Sequence, residues 1–322
     1  MTSLRCSHGA FVPARRSTRR ICVFIGLALL AAGCGSSSKA TSSSSATTIP
    51  PPTTTTGSTI ARGSGPVDVL YAGSLVDLMT KDVGPAFNAA TGYTFTGYSG
   101  DSGSLANEIK GKTQQGDIYI SANPSKDVGL EGASNGNWVS WYAQFATSPL
   151  VIGYNPNSKF AHDLQTEPWY DVVTQPGFLL GRTDPATDPK GVLAVSALDQ
   201  AATAYNLPAL KQLGTESSNV FPENTLVGRL QAGQLDAGFF YGVEAAASNI
   251  KTVPIPGPTL QAVYTITVIN NAPHQAGAAA FLAYLLSPAG AVVLKAQGLA
   301  LTTPPTISGT VPTSLQAVLS GQ

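Results

Sequence analysis

Past Val67 the chain alternates between short apolar runs and stretches whose apolar residues recur every three or four positions. Val67–Ala72 (VDVLYA) has the length and composition of a buried strand. The next segment puts Leu75, Leu78, Met79, Val83 and Phe87 on one face at helical spacing, with Ser74 a fit N-cap and Gly92 just past the end. Tyr93–Tyr98 (YTFTGY) reads as a second strand, Leu105, Ala106 and Ile109 as a second helix, and Gly116–Asn123 (GDIYISAN) as a third strand. The alternation restarts after Thr147. PLVIGYN, FLLGR, LDAGFFY and AVYTITVIN are strand candidates, and helices are expected near 191–205, 224–232 and 243–250. Gln275–Gly298 reads as two apolar helices broken at Ser287-Pro288. Strands and helices in this order imply an α/β fold with mostly parallel sheets.

The chain before Val67 is of another kind. Arg15, Arg16, Arg19 and Arg20 precede an apolar run from Ile21 to Ala32, followed by Gly33 and Cys34. About 12 apolar residues are too few for a bilayer that needs about 20, so residues 1–33 read as a secretory signal. Ala31-Ala-Gly-Cys34 resembles the lipobox of bacterial lipoproteins, although Ala31 stands where leucine is commoner. That resemblance implies a lipidated Cys34 at the mature N-terminus and a protein held on the outer face of the cytoplasmic membrane. Cys6 and Cys22 would leave with the signal, so no internal disulfide is expected. Residues 34–64 are Ser, Thr and Pro with hardly a large apolar side chain, a composition for a disordered tether.

Charge narrows the partners. The formal net charge is +0 and the charged fraction 11%, against about 25% in an average soluble domain. Nucleic acid is excluded, because neutralising phosphates takes clustered Lys and Arg. A charged ligand is expected to meet neutral hydrogen-bond donors.

The stretch YSGDSGSLA (Tyr98–Ala106) contains GDSG, the surroundings of a protease nucleophile. A serine nucleophile needs a histidine base. Only His8 precedes Ser102, inside the segment to be removed, and His162 and His274 follow in orders that fit no matching motif. No HExxH, paired Cys and His, GxxxxGK[ST] or GxGxxG is present, so neither catalysis nor a cofactor is expected. Ser74 and Ser102 instead share a context: each follows a strand, neighbours a glycine and opens a helix. Helix starts carry unpaired N–H groups and about half a positive charge. Two on adjacent parallel strands would converge where open α/β sheets bind ligands, and would seat an anion.

With those two serines, VLYAGSL, YSGDSGSLANEI, GDIYISAN, FATSPLVIGYNP, GRTDPATDPKG, LVGRLQAGQLDAGFFYGVEA and LLSPAGAVVLKAQGL occur in an order and spacing that resemble the substrate-binding proteins of ABC importers, and among them the molybdate- and tungstate-binding branch. The resemblance spans about 67–301. It implies a two-lobed type II periplasmic-binding fold closing on a tetrahedral oxyanion, molybdate or tungstate. Ser74 and Ser102 would each give a hydroxyl and an amide, Lys190 and Glu223 (or Asn224) backbone amides, and Tyr241 its phenol. Gly73 and Ser104 flank these donors. Phe240 stands where archaeal relatives have a carboxylate, while Asp184 or Asp188 could supply another. Asp101 would be the acceptor if the ligand were phosphate, and the Lys190 ammonium is expected toward solvent. The implied lobes are 65–147 with 258–303, and 148–257, joined by two hinge crossings, with 304–322 as a tail. The implied partners are an ABC permease and its ATPase, with the receptor a monomer. Sulfate or phosphate is the alternative ligand, and a Ser102 hydrolase or a sensor that transports nothing the more distant readings.

Overall fold

The structure, a computed structural model, describes residues 60–257 and 259–320. The expected signal, Cys34 and the tether up to residue 59 lie outside the described residues. The fold is entered at Gly63, whose N–H donates to the Thr91 carbonyl at 2.9 Å.

Among the described residues the strands are β1 (Pro66–Ala72), β2 (Thr94–Gly100), β3 (Ile118–Ser121), β4 (Trp141–Tyr154), β5 (Leu180–Gly181), β6 (Ala237–Tyr241), β7 (Lys251–Pro254), β8 (Gln261–Val268) and β9 (Ala300–Gly309). They run in the order β2-β1-β3-β8-β4-β6-β5, with β7 and β9 also paired to β4. β4 belongs to two sheets. Its first part pairs with β8 and β9, and Leu150–Tyr154 pairs with β6 and β7. Pro149, which has no N–H to give to a ladder, stands where β4 changes partners.

The expectation of mostly parallel sheets needs correction. β1 is parallel to β2 and β3, and β5 to β6, but every pairing of β4 and β8 is antiparallel. The reason is that β4 carries the chain into the second sheet in the sense of β1–β3, and β8 carries it back between β3 and β4 against that sense. The parallel strands are the ones that end in helix starts.

β1 is buried on both faces. Val67, Val69 and Tyr71 pack into the larger core with Phe87 and Phe281, while Leu70 meets Leu105, Ile109 and Tyr119 on the other side. The helix expected after it forms in pieces: a 3-10 turn at Gly73–Leu75, a wide π-type turn at Leu78–Val83 and an α-helix at Gly84–Thr91. Pro85 explains the wide turn, since its ring would clash with the carbonyl of Lys81 in a regular helix. Gly92, at φ 84°, ends the segment in the left-handed region. The apolar helices Gln275–Leu286 and Pro288–Ala296 meet at 63°, with Ser287 Oγ accepting from Gly290 N at 3.2 Å.

Beyond Thr303, where a tail was expected, β9 continues to Gly309 along β4. A helix at Thr313–Ser320 then buries Leu315 and Leu319 against the core. Apolar side chains at this spacing keep the segment packed.

Candidate functional site

The two serines sit at the carboxyl ends of β1 and β2, each 3% exposed or less. Neither caps its own helix. Ser74 Oγ lies 2.9 Å from the hydroxyl of Tyr264 on β8. Ser102 Oγ accepts from Ala122 N at 3.2 Å, just past β3, and Ser102 O accepts from Tyr119 Oη at 2.6 Å. A hydroxyl that accepts a backbone N–H still has its own proton to give. The histidines are elsewhere. His162 is exposed, and His274 Nδ1 is held 3.0 Å from Asp117 Oδ2 at the opposite end of β3. There Asp68, Asp117 and His274 come together, but Asp117 already accepts from Asp68 N and His274 N, which fastens strand to helix.

The second sheet brings Tyr241, Lys190 and Glu223 to the same place. Tyr241 ends β6 with its ring edge-on to Tyr264 at 6.1 Å. Its hydroxyl is buried and, among the described residues, has no hydrogen-bond partner. Lys190 is the second residue of the helix Pro189–Ala204, whose N-cap Asp188 accepts from Lys190 N at 2.6 Å. The ammonium expected in solvent is instead fully buried. Nζ lies 2.7 Å from Glu244 Oε2 and 2.8 Å from Glu223 Oε2, with the rings of Phe240 and Tyr241 within 6 Å. Two carboxylates from separate helices supply what burial of the charge requires. The donor set is therefore not purely neutral, as expected, but includes one neutralised cation.

Glu223 opens the helix Glu223–Gln231. Its amide, the expected donor, gives a long bond of 3.4 Å to Asp101 Oδ1. Its side chain crosses to the first sheet and lies over Gly73, where an added Cβ would be 2.3 Å from Glu223 Cγ. Other bonds tie the same surfaces together. Gly103 N donates to Thr187 O at 2.9 Å, Thr187 Oγ1 to Asp101 Oδ2 at 2.9 Å, and Ser248 Oγ to Asp77 Oδ2 at 2.9 Å.

The structure thus gathers Gly73, Ser74, Ser102, Asp188, Lys190, Glu223 and Tyr241. It leaves three candidates aside. Ser104 is partly exposed in the first turn of its helix, Asn224 is exposed, and Asp184 uses Oδ1 on Ala186 N within its own turn. Sequence reasoning missed Tyr264, Glu244, Thr187 and Ser148, whose Oγ accepts from Val243 N at 2.9 Å. Only Glu244 had a local signal: an acid three residues after Tyr241 can accept from the Tyr241 amide, and does so at 3.3 Å.

Burial dominates the electrostatics. It raises Tyr241 and Tyr264 well above the usual phenol value, so both are neutral donors. It also raises Asp188, helped by Glu223, and lifts Glu223 to about 7 against the pull of Lys190. Glu244 is raised likewise, with Lys190 opposing. For Lys190 burial alone would lower the value, but Glu223, Glu244 and Asp188 more than offset it and hold the ammonium charged.

Residues 67–300 match the family profile of bacterial extracellular solute-binding proteins. The chain belongs to that family. Among its relatives, the molybdate/tungstate-binding protein WtpA of Pyrococcus abyssi is 26% identical over 235 residues, covering 57% of this chain and 68% of the relative. The protein of the same name from Thermococcus kodakarensis is 24% identical over 235 residues, covering 57% of this chain and 66% of the relative. The aligned stretch thus spans about two-thirds of those relatives' length. In three dimensions the solute-binding protein resembles the periplasmic molybdate-binding protein of Azotobacter vinelandii, with a TM-score of 0.58 at 18% identity over 73% of this chain and 99% of that one. The likeness identifies the type II periplasmic-binding fold.

Proposed function

We propose that this solute-binding protein is the capture component of an ABC importer, and that its two sheets belong to lobes which close on a tetrahedral dianion of the molybdate or tungstate kind. The observation that carries this is the buried Tyr241 hydroxyl, which has no partner among the described residues and belongs to a ring edge-on to Tyr264, itself bonded to Ser74. A hydroxyl kept dry and unpaired costs about 1–3 kcal/mol unless something accepts from it. Ser102 and whichever of Ser74 and Tyr264 accepts in their mutual bond offer further hydroxyl protons there, and molybdate, tungstate and sulfate carry no proton at neutral pH, so donors suit them. The names of the relatives favour molybdenum and tungsten oxyanions over sulfate. The hinge would be the two crossings, at Ser148-Pro149 in β4 and at the return into β8, dividing 65–147 with the C-terminal strands from 148–257. Export, a lipid on Cys34, and delivery by a monomer to a permease and its ATPase complete the proposal.

One observation favours hydrogen phosphate as a second reading: the Asp101 carboxylate lies beside Ser102 at the contact between the lobes, where it could accept that ligand's proton. Calorimetric titration of the folded body with molybdate, tungstate, sulfate and phosphate separates the two. Molybdate and tungstate are expected to bind at least a hundredfold more tightly than phosphate, and the reverse order would overturn the assignment.

A further inference from the structure

Lys190 has two carboxylate partners, and they are not equivalent. Glu244 Oε2 accepts both from Lys190 Nζ at 2.7 Å and from Tyr241 N at 3.3 Å, within the second lobe. Glu223 Oε2 reaches Nζ at 2.8 Å without hydrogen-bond alignment and has no other partner among the described residues. One firmly held carboxylate is enough to neutralise a buried ammonium. The second is an additional negative charge, and it comes from the side chain that crosses to cover Gly73, one residue before Ser74.

Resting on the function proposed above, we propose that Glu223 is an internal competitor of the oxyanion: its carboxylate takes the second counter-ion position on Lys190 and covers Gly73, so an entering oxyanion must displace it, and this side chain sets the receptor's affinity. The anion then becomes the second counter-charge of Lys190, while Glu244 keeps the ammonium in place. Glu223 faces Lys190 and Asp188 from one helix, Glu244 from another, Asp101 from the first lobe, and the neutral phenols Tyr241 and Tyr264. Three carboxyl groups, Glu223, Glu244 and Asp188, act on one ammonium, and the charge that Glu223 carries opposes an entering dianion. Removing the competitor, by mutation or by protonation, relieves that opposition. Since Glu223 is lifted to about 7, affinity for molybdate is expected to rise as pH falls from 8 to 6.

The test is calorimetric titration of wild type, Glu223→Gln and Glu223→Asp with molybdate at pH 6, 7 and 8. Glutamine keeps the shape without the charge, and aspartate withdraws the charge from Gly73 by one methylene. Both variants are expected to bind at least tenfold more tightly than wild type at pH 8, and Glu223→Gln to lose most of the pH dependence. If either variant fails to fold, the other carries the comparison. Wild type that binds molybdate, with neither variant tighter, overturns the proposal and leaves the function standing. Wild type that binds sulfate or phosphate instead overturns the molybdate assignment, and the same comparison is then made with that anion. If no protein in the set binds any of the three, both fall.

Discussion

Replacing Tyr241 by Phe removes a single oxygen and leaves the rest of the side chain where it is. The ring's edge-on contact with Tyr264 at 6.1 Å and its place 5.8 Å from Lys190 Nζ do not depend on that oxygen. Two opposite effects follow. In the protein alone, the change deletes a hydroxyl that is buried and unpartnered, so the desolvation cost of about 1–3 kcal/mol disappears and Tyr241→Phe is expected to unfold at an equal or higher temperature. In the complex, the same change deletes a hydrogen bond to an anion, worth about 1.5–3 kcal/mol, which is about 10- to 150-fold in Kd. Most buried tyrosine hydroxyls have a protein partner, and losing them lowers stability. A rise in stability together with a loss of affinity therefore marks a hydroxyl reserved for a ligand. Thermal unfolding without added anion and calorimetry with molybdate measure the two halves. A variant that is less stable and binds as well as wild type would refute the reasoning, since the hydroxyl would then serve the fold.

Gly103→Ala should leave the fold intact but lower affinity at least tenfold by calorimetry, because the new Cβ would stand 2.4 Å from the Thr187 carbonyl on the facing surface. Lys190→Met should destabilise by about 3–5 kcal/mol at pH 8, by leaving Glu223 and Glu244 buried without their cation. Chemical denaturation should show that loss shrinking toward pH 5 as the carboxyls protonate. Asp127 is buried, accepts from Thr265 Oγ1, and is raised by burial from 3.8 to about 7. The folded state then holds the extra proton, so stability should fall by about 4 kcal/mol as pH rises from 4 through 7. Asp127→Asn, followed by unfolding at several pH values, should remove Asp127's share of that slope, leaving the part due to Glu223, and be the more stable protein at pH 8.

The fold was legible where local pattern and burial agree. β1, β3 and β6 read as apolar runs because neither face meets water, and the helices at Pro189–Ala204 and Glu223–Gln231 lie within two residues of the expected spans. The first part of β4 was not legible. Trp141–Ala146 is buried on both faces and shows no alternation, and no turn residue sets it off from the segment expected at Pro149. β9 failed for the opposite reason, being largely exposed and containing Pro304 and Pro305. The wide turn before Pro85 and the packed segment after Thr303 depend on geometry that the periodicity does not carry.

The site was legible only on the side that local chemistry controls. Serine beside glycine after a strand is a local feature, so Ser74 and Ser102 could be found. Their partners could not, because Tyr264 is 190 positions from Ser74 and Glu244 is 54 from Lys190. Lys190 makes the point most sharply. A lysine in the first turn of a helix is expected in water, and its own segment gives no reason otherwise. What inverts the expectation is that two other helices each carry an acid in the first turn within reach of the same ammonium, which only the second sheet's topology brings about. On the proposed function, the arrangement would also account for a near-neutral protein handling a dianion. A cation buried with one firm and one loose carboxylate contributes no basic patch to the surface, and it yields its charge only to a ligand that can replace the loose partner. Selectivity would then rest on an exchange of counter-ions at a buried site, where a unit of charge weighs far more than it would on the surface.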